Sequence, residues 1–168
     1  MALETFLSLI QGHTIISYIA IFLSSFIGSS TFLVPIIPIP SYVPILFGIA
    51  EGLNPLMVGL IAGAGSAMGD VIGYFIGLGG STAIETIRHK TPKFLKRFEK
   101  FFSGIGFWTV LTFAFIPFPF DIIGAMSGAS KYEFKKFLLA LMIGRIARSL
   151  LLAYTGMWIL SWIDGFFT

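Results

Sequence analysis

The chain contains no cysteine. Disulfide frameworks, thiolate metal sites and thiol catalysis are therefore excluded, and the redox compartment stays undetermined. Charge is nearly as scarce. Of 168 residues only 11% are Asp, Glu, Lys or Arg, while 56% are hydrophobic; a soluble domain carries about 25% charged residues. No charge occurs in residues 5–50, 52–69 or 101–120. Runs of this kind reach or approach the roughly 20 residues that a membrane-spanning helix needs, so nearly the whole chain is expected to face lipid or pack within a helical bundle. The two histidines, His13 and His89, lie far apart and show no metal-ligand spacing. Gly79-Gly80 is not followed by the Lys of a phosphate loop, and no activated nucleophile is evident. Neither metal, cofactor nor enzymatic activity is expected. The first 13 residues hold Glu4 and no Lys or Arg, unlike a normal signal peptide.

What is present is a pair of matching backbone breaks. One is Ile37-Pro38-Ile39-Pro40-Ser41 and the other, offset by 79, is Ile116-Pro117-Phe118-Pro119-Phe120-Asp121. Pro-x-Pro cannot continue a helix, because it removes donors and clashes with the preceding turn. A backbone broken inside lipid must shelter its freed polar groups in protein or water. Paired breaks in two halves point to a transport site near the midplane.

The rest of the chain supports two halves within a single domain over residues 1–168. The first half covers about 14–80, a basic amphipathic connector about 85–100, and the second half about 101–163. Residues 41–50 and 121–130 are each long enough for ~15 Å of helix, too short to span. Asn54-Pro55 is a helix start, with Asn as cap and Pro in the first turn; Ser130-x-x-Glu133 reads as a capping box for the next helix. The expected fold is all-α: an inverted repeat of two re-entrant helical hairpins, each followed by a transmembrane helix. Residues 14–34 are apolar throughout and are also long enough to span alone, so re-entry and spanning both stay open there. Six Lys/Arg lie in residues 88–100 and three more in 131–136. The positive-inside rule puts both groups on the cytoplasmic face. The helix started by Thr91-Pro92 is expected to lie on anionic headgroups; nucleic-acid binding is not expected.

The chemistry-bearing residues are few. Arg145 and Arg148 share one helix face at ~13 and ~18 Å depth. An arginine at such depth is a functional-site hypothesis by default. Asp70 is expected at matching depth and needs a cationic partner, either Arg145 or Arg148. That pair serves either a polar site or only the joining of two helices. Asp121 is expected to cap the second half-helix and to line the cavity, with Ser41 in the equivalent place. The two half-helix N-termini would offer free N–H groups to a phosphate. Gly65, Gly69, Gly73 and Gly77 form a four-residue stripe for close helix packing.

Three stretches carry a family resemblance: Pro35-Ile-Ile-Pro-Ile-Pro-Ser41; Gly65-Ser-Ala-Met-Gly-Asp-Val-Ile-Gly-Tyr-Phe-Ile-Gly77; and Phe115-Ile-Pro-Phe-Pro-Phe-Asp121 leading through Gly124-Ala-Met-Ser-Gly-Ala129 to Phe137 and Gly144-Arg145. With these the chain resembles the DedA/VTT superfamily, the membrane proteins once labelled SNARE-associated Golgi proteins, over roughly residues 26–150. The resemblance implies two re-entrant hairpins, a lipid scramblase or flippase role, and ties to membrane potential and cation balance. Where many members carry an acidic residue just after the first Pro-x-Pro-Ser, this chain has Tyr42; where many carry one further upstream, it has Gly28-Ser29-Ser30. Proton coupling is therefore not carried over. The expected function is movement of phosphate-bearing lipids between leaflets of the cell membrane, with membrane lipids as partners and room for homo-oligomers. A proton- or ion-coupled solute transporter and a non-transporting scaffold are the rival readings.

Overall fold

The computed structural model describes residues 2–30, 42–88, 93–116 and 120–167. Six helices account for almost all of them: α1 (Ala2–Ser29), α2 (Val43–Ala50), α3 (Pro55–Arg88), α4 (Lys93–Phe115), α5 (Phe120–Ala129) and α6 (Phe134–Phe167). There is no strand among the described residues. Pro55–Thr82 and Phe134–Ile159 are long and apolar enough to cross a membrane. Pro38, Pro40, Pro117, Pro119 and Ser41 lie outside the described residues.

The elements after each break recur at the same offset of 79. Both α3 and α6 have 34 residues, starting at Pro55 and Phe134. Each short helix ends in a Schellman motif, in which a left-handed residue lets two N–H groups reach back to the last-turn carbonyls. Gly52 (φ 74°) and Lys131 (φ 52°) hold that place. Leu53 N donates to Gly48 O and Gly52 N to Ile49 O; Tyr132 N donates to Ser127 O and Lys131 N to Gly128 O. Gly52 suits this backbone because it has no Cβ to clash, whereas Lys131 occupies it at a cost.

Helix packing repeats as well. Each long helix packs on the other, on the first helix of its own half, and on the short helix of the opposite half. A Cβ on Gly65 would stand 2.5 Å from the Phe22 carbonyl oxygen, and one on Gly144 2.8 Å from that of Leu111. These two glycines, 79 apart, seat α1 on α3 and α4 on α6. Gly59 meets Leu150 and Gly63 meets Ile146, so α3 and α6 run antiparallel. Residues 51–54 and 130–133 therefore sit at opposite ends of the bundle. The described part of α1 ends beside Gly69 of α3, and that of α4 ends just past Gly144 of α6. Each stops part-way along a long helix.

Several expectations need correction. The basic connector is not a separate helix: Lys93–Phe115 is continuous, since no proline interrupts it and Gly104 and Gly106 each cost only about 1 kcal/mol. α3 continues past residue 80 to Arg88. Ser130 does not form a capping box. Its hydroxyl donates to Met126 O at 2.7 Å, because Ser130 closes α5 rather than opening α6. Asp121 is in the first turn of α5 rather than at its cap, as the helix begins at Phe120. The glycine stripe does not present one face to one neighbour. Gly65 and Gly69 face α1, whereas Gly77 faces the Ala125 carbonyl of α5; a four-residue spacing drifts around a helix of 3.6 residues per turn. Asn54 does cap α3, accepting from Leu56 N at 2.9 Å.

Candidate functional site

α3 and α6 cross where each first helix stops. There Arg145 Nε donates to Asp70 Oδ2 at 2.5 Å. Both residues are buried, Asp70 at 2% and Arg145 at 6% exposure. Of the two possible partners for Asp70, Arg145 is the one that forms the ion pair. The arginine is held from a second side, its Cζ lying 5.4 Å from the Phe120 ring centroid, within cation–π range. Phe120 opens α5, so this one side chain joins α3, α5 and α6.

Arg148 is only half-buried. It has no ion pair or hydrogen bond among the described residues. Asp121 is likewise half-buried, next to Phe120, and has no ion-pair partner among the described residues. Both lie within electrostatic reach of Asp70. The site thus combines a closed, self-neutralising pair with one cation and one carboxylate left open at its edge.

Buried hydroxyls surround it. Ser25 and Ser29 on α1, Ser30 just after it, Ser66 on α3 and Ser149 on α6 are all buried. Ser29 and Ser30 pack where α1 meets Gly69, one residue before Asp70. Ser25 Oγ is fully buried and has no hydrogen-bond partner among the described residues. The offset of 79 maps Arg145 onto Ser66 and Asp70 onto Ser149, so a pair of serines stands at the positions that this offset assigns to the charged pair. Sequence reasoning missed this serine shell and Phe120. The register that aligns Gly65 with Gly144 already contained the signal for Ser66 and Ser149, whereas nothing local marked Phe120.

Glycine contacts seat α5 against α3. A Cβ on Gly77 would overlap the Ala125 carbonyl, and one on Gly128 the Tyr74 carbonyl. Tyr74 Oη donates to Tyr132 O at 2.6 Å, and its ring lies 4.7 Å from that of Phe137. The Tyr132 ring lies 5.7 Å from Phe102 and against Gly106. The 130–133 turn is thereby fastened to α4, and Lys131, Lys135 and Lys136 share one end of the bundle with Lys93–Lys100. No group of His, Cys, Asp and Glu able to hold a metal occurs among the described residues.

Residues 37–157 match the family model of the VTT domain. No curated protein and no solved structure matches the chain. The match covers most of the chain, including the Asp70–Arg145 crossing and the helices that build it. Together with two helices long enough to cross a bilayer, it makes this chain a membrane protein of the VTT-domain family, the DedA or SNARE-associated Golgi protein family.

Proposed function

We propose that the protein moves phosphate-bearing lipids between the leaflets of the cell membrane, with the headgroup passing the α3–α6 crossing while the acyl tails stay in lipid. The observation that carries this reading is Arg148. Arg145 is engaged by Asp70 and Phe120, whereas Arg148, one turn further along α6, has no partner among the described residues. A cation left open within a bilayer span is costly unless it has work to do. A guanidinium presents a fork of donors suited to phosphate oxygens.

In this reading α1–α2 and α4–α5 are re-entrant hairpins of an inverted repeat. The support is that α1 and α4 stop part-way along the long helices and that the following elements recur at an offset of 79. The start of α5 and Asp121 then border the headgroup path. Residues 88–100 and 131–136 face the cytoplasm under the positive-inside rule. The protein acts as a transporter rather than an enzyme and takes no nucleic acid; self-association is compatible with this reading.

One observation favours a rival. The Ser25 hydroxyl, without a hydrogen-bond partner among the described residues, together with Ser29, Ser30 and Ser66, offers oxygens suited to a small cation, which fits an ion-coupled solute transporter. Reconstitution separates the two readings. Purified protein in liposomes should accelerate transfer of a labelled phospholipid or polyprenyl phosphate without nucleotide, and Arg148→Gln should slow it. Well-folded wild type that moves no lipid above empty liposomes, yet carries ion flux, transfers the case to the rival.

A further inference from the structure

The continuity of α4 creates a feature that the translocation reading does not use. Lys93, Lys96, Arg97 and Lys100 are all exposed, and Glu99 is the only acidic residue in that run. At 100° per residue, Lys93, Arg97, Lys100, Gly104 and Trp108 fall on one side of the helix. The strip is therefore cationic for its first two turns and apolar for the next two. Gly104 is exposed, and a Cβ there would meet nothing within 4 Å. It leaves a notch between Lys100 and Trp108. Phe101 (45% exposed), Ile105 (52%) and Trp108 (67%) border the apolar part. Lys100 and Trp108 are ~12 Å apart along the axis, a span comparable to the upper part of an acyl chain.

Lys136 is engaged by Glu133 at 2.7 Å and is not counted. A solvated basic face has no need of an aligned notch and an exposed tryptophan below it. A bound amphiphile with an anionic head uses all three.

We propose that α4 holds an anionic phospholipid along this strip, with its phosphate on Arg97 and Lys100, Lys96 flanking it one turn before Lys100, and one acyl chain over Gly104 against Trp108. The charges select the head, because basic residues near the surface attract anionic lipids. The aromatic ring and the notch fix the chain. This site lies on the outer face of the bundle and stands whether or not the α3–α6 crossing moves lipid.

The test uses the fluorescence of Trp108 in the full-length protein with Trp158→Phe and Trp162→Phe, reconstituted in liposomes. Phosphatidylglycerol brominated on its chains should quench Trp108 with at least about threefold preference over brominated phosphatidylcholine. Lys96→Gln, Arg97→Gln and Lys100→Gln together should reduce that preference to near one, with helicity by circular dichroism unchanged. A protein keeping only Trp158 reports on the opposite half of α6 and should show no preference. Equal quenching by both lipids at Trp108, a preference that survives charge removal, or an equal preference at Trp158 would overturn the proposal.

Discussion

Arg145 Nε donates to Asp70 Oδ2 across 75 residues of sequence, at the point where α3 and α6 cross. Either charge alone would be left buried without a counter-charge, which is costly. Asp70→Asn and Arg145→Gln should each destabilise the protein by about 3 kcal/mol or more. The double variant should lose less than the sum, by about 0.5–3 kcal/mol. Unfolding of the detergent-solubilised protein measures both quantities, and strict additivity would contradict the contact.

Arg148 should behave differently from Arg145. It is half-buried and joins no other side chain among the described residues. Arg148→Gln should change stability by less than about 1 kcal/mol while slowing lipid transfer. If its stability cost equals that of Arg145→Gln, Arg148 is a structural tie and not an open cation.

Gly77 and Gly79 lie two residues apart on α3 and should respond in opposite directions. A Cβ on Gly77 would overlap the Ala125 carbonyl, whereas one on Gly79 would meet nothing within 4 Å. Gly77→Ala should cost about 2 kcal/mol or more through overpacking against backbone. Gly79→Ala should be neutral or stabilising by up to about 1 kcal/mol, because glycine is a poor helix former. Thermal unfolding of the two variants side by side tests the placement of α5.

Lys131 and Gly52 close the two short helices in the same left-handed conformation. Lys131→Gly should stabilise by up to about 1 kcal/mol, and Gly52→Ala should destabilise by a similar amount. A loss of stability from Lys131→Gly would show that the lysine side chain contributes more than its positive φ costs.

Local chemistry was legible in the sequence wherever a residue acts on its own neighbours. Asn54 with Pro55 announced the start of α3, and the apolar run after residue 133 announced a long helix, although its start was read from Ser130. Depth counted along helices placed Asp70 level with two arginines. The offset of 79 followed from the two Pro-x-Pro breaks before any contact was known. Some local signals misled. Ser130-x-x-Glu133 has the letters of a capping box, yet Ser130 serves the preceding helix because the Schellman turn at Lys131 leaves its hydroxyl beside the Met126 carbonyl.

The choice of Arg145 over Arg148 belonged to the tertiary structure alone. Both arginines lie on one face of α6, and only the crossing with α3, set by Gly59 and Gly63 against Leu150 and Ile146, decides which guanidinium reaches Asp70. The same holds for Phe120, which gains its role from a ring-to-guanidinium distance across helices, and for the glycine stripe, whose members face different neighbours as α3 turns. Composition determined that this chain is a helical membrane protein, because partition into lipid is a property of local sequence. Which polar groups meet was decided by helix crossings, because those depend on backbone approach between segments far apart in the chain.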